Sequence, residues 1–353
     1  MHGGDIYRNK VKYDFSVNTN PLGMPPEVAA ALSEAVFDAD KYPDLIHEEL
    51  VNETAKVLGI EPFRIVYGNG ASEILMALCH AALPEKIMVT APSFLGYTNI
   101  IHKAYKDCGI VYHYLSEVED FELKDDILEL IEMEAPSILF LTNPNNPNGR
   151  FVDKSLLERI VSKCDETGTV LLLDECFLPL SGADKERSMI PKISEHGNIV
   201  VLRAFTKSFA MAGVRLGYAV CGDKALAEAI RAHLPEWNLS LFAQRAGVAG
   251  LGHLDVIQQA AEYIAKEKKY LLEGLTAIGI RCYHSDANYI LLKLENVGDN
   301  VVESLMARGI LIRDCSDYEG LGKGYYRVAV KKHEENEILL RALRDILGKK
   351  GNK

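Results

Sequence analysis

The sequence predicts an α/β protein, with a large unit built on a mostly parallel sheet flanked by helices and a smaller α+β unit after it. Three observations carry this. Between residues 64 and 220 short apolar runs alternate with longer amphipathic stretches, each punctuated by Gly, Pro or Asn, which is the βαβ pattern. Several of those runs are unbroken Val, Ile and Leu, as expected of strands covered on both faces. After Pro235 the alternation gives way to one long helical stretch and a set of short strands.

In order, strands are expected over 64–67, 86–90, 110–114, 137–142, 169–173, 199–204 and 216–221. Helices over 71–82, 95–106, 123–133 and 154–166 lie between them, long enough for right-handed crossovers. Beyond Pro235 a helix over 255–278 precedes strands at 281–283, 289–294, 310–313 and 325–330 and a final helix near 334–347. The 353 residues suit two packed units at ~100–200 residues each.

The charge balance narrows the partners. With 39 Lys plus Arg against 50 Asp plus Glu the net charge is −11, which offers no general attraction to nucleic acid or to an anionic membrane. A local basic pocket for a small anion remains compatible with that balance. No run approaches the ~18–20 apolar residues that span a bilayer, and the opening residues lack a signal-peptide core, so a cytoplasmic location is expected. The seven cysteines form no C-x-x-C pair, which points to reduced thiols and no structural metal.

In open α/β sheets ligands sit beyond the carboxyl ends of the strands, so the loops there are the places to search for chemistry. Gly68-Asn69-Gly70-Ala71-Ser72 follows a strand and opens a helix, where free N–H groups converge on a point suited to phosphate. Asn143-Pro144-Asn145-Asn146-Pro147-Asn148-Gly149 is a Pro-braced loop presenting Asn amides, which by composition alone reads as a plain tight turn. Asp174 ends the apolar strand 169–173, where a carboxylate requires a cation or a strong donor. Lys207 follows another apolar strand, between Thr206 and Ser208, with Gly213-Val214-Arg215-Leu216-Gly217-Tyr218 just downstream.

Taken in this order, N-P-x-N-P-x-G, D-E-x-F, T-K-S-F and G-x-R-L-G-Y resemble the pyridoxal-phosphate (PLP) enzymes of the aspartate aminotransferase fold, fold type I. The resemblance covers nearly the whole chain. It implies an N-terminal arm over 1–35 joined to the small domain, a large PLP-binding domain over 36–240 and a small C-terminal domain over 241–353. It further implies that Lys207 forms the Schiff base with PLP, that Asp174 pairs with the pyridine nitrogen and that Asn146 bonds the ring's phenolic oxygen. Gly70, Ala71 and Ser72, with Thr206, Ser208 and Arg215, would hold the phosphate, and Phe94 would stack on the ring. Tyr42 would reach the phosphate of a neighbouring subunit, making a homodimer with shared sites. The plain alternatives are that Tyr42 and Phe94 are core aromatics and Arg327 a surface charge.

One departure narrows the subfamily: Phe177 stands where many relatives carry a tyrosine that shares Asn146's task. Two subfamilies fit, both acting on a phosphorylated amino acid or amine. They are histidinol-phosphate aminotransferase and the L-threonine-O-3-phosphate decarboxylase of cobalamin biosynthesis. The opening His2-Gly3-Gly4-Asp5, Phe177 and the R-x-C-x-x-Y-x-G-L run from Arg313 lean toward the decarboxylase. His2, Asn20, Arg313 and Arg327 are the expected grips on substrate carboxylate and phosphate. A general amino-acid aminotransferase and a non-catalytic PLP-binding relative are the other readings.

Overall fold

A computed structural model describes residues 3–8, 10–294 and 301–348. The strands, in chain order, are β1 (Tyr13–Asp14), β2 (Ile65–Asn69), β3 (Lys86–Ala91), β4 (Gly109–Tyr114), β5 (Ile138–Thr142), β6 (Val170–Asp174) and β7 (Ile199–Ala204). They continue with β8 (Leu216–Cys221), β9 (Arg281–Cys282), β10 (Tyr289–Lys293), β11 (Ile310–Leu311), β12 (Arg313–Asp314) and β13 (Tyr325–Ala329).

The large sheet has seven strands in the order β2-β8-β7-β6-β5-β3-β4. Strands β7, β6, β5, β3 and β4 pair in parallel, and β8 runs antiparallel to both its neighbours. Alternation along the strands sends Leu139, Leu141, Leu171, Leu173 and Val201 into one core cluster and Phe140, Leu172, Val200 and Leu202 into another, so both faces are covered. Truncating any one of these leucines to alanine should cost about 2–5 kcal/mol.

Local chemistry explains the crossover helices. The helix Lys154–Thr167 starts where the Asp153 side chain accepts from the Ser155 and Leu156 N–H groups, and ends at Gly168 in the left-handed region. The helix Asp126–Glu134 starts later than expected.

The small sheet is antiparallel, in the order β12-β13-β10-β9. Beside it β1 pairs in parallel with β11. The single strand expected over 310–313 is therefore two. Around buried Ile312 the chain leaves the N-terminal segment and joins β13 instead. The helix Leu241–Leu251 lies against the helices Pro26–Ala35 and Glu48–Leu58. Its Gly247 sits so close to Leu50 and Leu216 that a Cβ there would approach them to 2.6 and 2.7 Å. Among the described residues no helix is long and apolar enough to cross a membrane, and all seven cysteines are free thiols.

Candidate active site

The carboxyl ends of β5, β6 and β7 come together at one level, because Thr142 is in register with Asp174 and Asp174 with Leu202. They form the floor of a cleft of about 380 Å³. Asp174 is buried there and makes no ion pair among the described residues. Its carboxylate accepts instead from the Tyr97 hydroxyl at 2.7 Å and from the Cys176 N–H at 2.9 Å. Tyr97 in turn lies 2.8 Å from Thr142 Oγ1 and stacks on Phe140. Burial, reinforced by the Asp174 charge, pushes the Tyr97 phenol well above its usual range, so it stays a donor.

Lys207 lies in the short helix Phe205–Ser208 after β7, with Nζ 5.5 Å from the centre of the Phe177 ring. Burial, and then the nearby Arg327 and Arg215 charges, lower its ammonium to about 8, against an ordinary value of about 10.4. Asn20 does not line the cleft. Its amide donates to the Ser208 carbonyl and accepts from the Leu22 N–H, and its backbone N–H bonds the Lys207 carbonyl. The expected substrate grip is thus a brace under the lysine turn. Successive helical residues are rotated by about 100°. Thr206 and Lys207 therefore reach the cleft, while Ser208 lines a separate cavity of about 870 Å³ behind the turn, away from the phosphate donors it was expected to join.

At the other end of the cleft the helix Ala71–Ala82 begins at Gly70, whose φ of +76° suits glycine. The guanidinium of Arg215 crosses over it so closely that a Cβ at Gly70 would lie 2.4 Å from Nη2. Arg215 also reaches Ser72 Oγ at 3.4 Å. The first-turn N–H groups of Ala71 and Ser72 have no acceptor within their own helix. These donors and the arginine make a cradle for one phosphate-sized anion. Phe94 lines the wall, edge-on to Tyr97 at 5.3 Å, and is partly exposed rather than in the core.

The small sheet supplies the remaining wall. Arg327 is a buried residue, not a surface charge. It donates to Asn146 Oδ1 and to the Ser16 carbonyl at 2.8 Å. With the Asn18 amide oxygen turned toward it, Nη1 and Nε also lie 3.2 and 3.3 Å from that oxygen. Arg313, likewise buried, donates to both carboxylate oxygens of Asp317 at 2.9 and 3.0 Å and lies over Tyr318.

Two expected residues stand apart from this group. Tyr42 is 81% exposed, has its ring 4.9 Å from that of Trp237, and does not line the cleft of this chain. His2 lies outside the described residues, though Gly3 lines the cleft. Tyr97, Asn18, Thr142 and Tyr318 also belong to this group without a signal of their own in the sequence, save that Tyr97 ends the run Ala91-Pro92-Ser93-Phe94-Leu95-Gly96-Tyr97 that holds Phe94.

A carboxylate on the floor, a low-pKa amine beside it and an anion cradle at one end fit a phosphate-bearing aromatic cofactor such as PLP. With the α/β sheet that positions them, they define a cofactor-dependent enzyme of the PLP class. The chain belongs to the aminotransferase class I and II family, whose profile matches residues 10–343. This family comprises PLP-dependent aminotransferases and decarboxylases. Threonine-phosphate decarboxylase of Salmonella typhimurium is 33% identical over 335 residues, covering 95% of this chain and 91% of that protein. Histidinol-phosphate aminotransferase 2 of Archaeoglobus fulgidus is 33% identical over 343 residues, covering 96% and 94%. The crystal structure of the histidinol-phosphate aminotransferase from Clostridium acetobutylicum superposes with a TM-score of 0.88 at 31% identity, covering 96% of this chain and 99% of that one.

Proposed function

We propose that this protein is a PLP-dependent decarboxylase of L-threonine O-3-phosphate, working as a cytoplasmic homodimer. The observation that carries the reading is the pair of buried arginines, Arg313 and Arg327, on one wall of the cleft. Two guanidinium groups suit a substrate with both a carboxylate and a phosphate, each taken as a fork. Histidinol phosphate has only the second and 2-oxoglutarate, its partner in transamination, only carboxylates, so threonine phosphate is the substrate that presents both groups at once. Phe177 in place of tyrosine supports the same choice.

In this reading PLP, when bound, supplies the electron sink for the bond broken at the substrate's Cα. Lys207 would hold it covalently, Asp174 at the ring nitrogen and Asn146 at the ring's phenolic oxygen. Ala71, Ser72, Thr206 and Arg215 would take its phosphate, Phe94 would lie on the ring, and Tyr42 would serve the neighbouring subunit. Arg327 and Arg313 then orient the substrate, and orientation selects which bond at Cα breaks. Carbon dioxide leaves with the carboxylate carbon, and Lys207 Nζ delivers a proton to Cα in its place. In this scheme the arm over 1–35 joins the small domain through β1, as the β1–β11 pairing supports, while its helix Pro26–Ala35 packs with the large-sheet core through Val28.

The overall likeness to the Clostridium acetobutylicum enzyme favours a second reading, histidinol-phosphate aminotransferase. There Lys207 Nζ would remove the Cα proton. The test is to incubate the PLP-loaded protein with L-threonine O-3-phosphate, and separately with histidinol phosphate plus 2-oxoglutarate. Carbon dioxide and 1-amino-2-propanol phosphate from the first mixture support the decarboxylase. Glutamate from the second mixture, with no carbon dioxide from the first, replaces it by the aminotransferase.

A further inference from the structure

Tyr289 begins β10 of the small sheet, and its side chain is fully buried. It touches three parts of the cleft without itself lining it. Its hydroxyl donates to the Asn145 carbonyl at 2.9 Å, next to the Asn146 amide. Its ring meets Phe177 edge to face, with centroids 5.0 Å apart, and Phe177 in turn lies beneath Lys207 Nζ. The guanidinium of Arg327 sits 5.3 Å from its other contact surface, the ring centre. Burial holds the phenol well above its usual pKa range, so the donor persists at any working pH.

The Asn143–Gly149 loop depends on such outside support. The Asn145 side chain donates to the Pro92 carbonyl at 3.0 Å while its oxygen has no hydrogen-bond partner, and from the small unit Tyr289 on the Asn145 carbonyl, Arg327 on Asn146 Oδ1 and the Asp286 N–H on the Gly149 carbonyl at 2.8 Å tie the loop down. Asn146 is then held from two sides, by its neighbour's carbonyl on Tyr289 and by its own oxygen on Arg327.

We infer that Tyr289 is a positioning residue that couples the substrate-side arginine to the cofactor-side amide: its hydroxyl fixes the Asn146 loop, while its ring seats Arg327 and Phe177. The inference rests on the PLP reading above. It assigns to the small sheet a part in setting the cofactor's protonation, through a phenol that does not line the cleft.

The test is Tyr289→Phe, which keeps the ring and removes one hydrogen bond. Two readouts besides turnover are followed on purified protein: the pH midpoint of the PLP absorbance band and the PLP dissociation constant. Losing one buried hydrogen bond predicts a PLP constant weaker by about three- to tenfold. The band midpoint should move, and kcat should fall more than KM rises. The control is Tyr263→Phe, which removes a phenol that accepts from the His333 N–H. It should leave both readouts unchanged. Wild-type protein that forms no PLP absorbance band would sink the underlying PLP reading. A normal wild-type band, with band midpoint and PLP constant unaltered in Tyr289→Phe, would overturn the positioning role alone. A change shared equally by Tyr263→Phe would also overturn it, as a general loss of packing.

Discussion

Arg313 and Arg327 stand directly opposite each other across the β12–β13 pair, in register and both buried. Like charges in that arrangement repel, and the sheet offers no relief of its own. The surroundings divide the pair. Arg313 is met by the Asp317 carboxylate, whereas Arg327 is met by neutral oxygens of Asn146, Ser16 and Asn18. Arg327 is therefore the arginine whose positive charge is left for an incoming anion, and Arg313 has a carboxylate that a substrate anion would have to displace or share.

That difference predicts unequal effects. Arg327→Lys keeps the charge but loses the fork, and should raise KM for a carboxylate substrate about 10- to 100-fold, the worth of a charge-assisted bond. Asp317→Asn, which frees Arg313, should lower KM for the phosphorylated substrate. Steady-state kinetics on the two variants decides this, and equal KM changes in the same direction would contradict it.

Lys207 titrates near 8 because burial and two neighbouring arginines disfavour its charge. Only the neutral amine is a nucleophile. Uptake of PLP by the apoprotein should accordingly accelerate as pH rises through about 8 and level off above it, as stopped-flow absorbance can record. Lys207→Ala should show neither the band nor turnover.

Glu117 ties the large unit to the small sheet. Burial alone would raise its pKa, but hydrogen bonds from Tyr283, Lys293 and Tyr325 outweigh that and hold it at about 2. A carboxylate lowered on folding stabilises the native state above its unfolded value of about 4.3, and that contribution disappears as pH falls toward 2. Glu117→Gln should thus melt below wild type at pH 7, with the gap in Tm shrinking from about pH 5 and closing only as pH falls toward 2. A constant gap would show that the charge is irrelevant.

Glu175 and Arg203 form a buried ion pair, 2.6 Å apart, beneath the β6 and β7 ends that carry Asp174 and Lys207. Arg203→Met leaves Glu175 with a charge and no cation, at a cost of about 3–5 kcal/mol. Adding Glu175→Leu should recover part of that loss, because the uncompensated buried carboxylate goes, while Asp184, which also meets Arg203 at 2.7 Å, is left without that cation. Chemical denaturation of the single and double variants measures both steps.

The helix Ala71–Ala82 and strands β7 and β8 coincide with the expected boundaries, because strong apolar runs ended at Gly, Pro or charged residues leave little choice of register. The two-residue β1 carried no such signal, and β11 was legible only as part of one longer strand over 310–313. Their pairing joins distant segments and depends on where the N-terminal arm docks.

The residue types and their order determined the α/β class, the family and the placement of Lys207, Asp174, Asn146, Thr206 and Arg215 around one cleft, since strand ends and glycine turns are local features. Which neighbours complete that cleft depended on packing between distant segments. Asn18 rather than Asn20 faces Arg327, Ser208 turns away from Thr206, and Tyr97 meets Asp174. A side chain's direction follows from its own backbone, but its partner follows from how separate elements dock, and no local pattern encodes that.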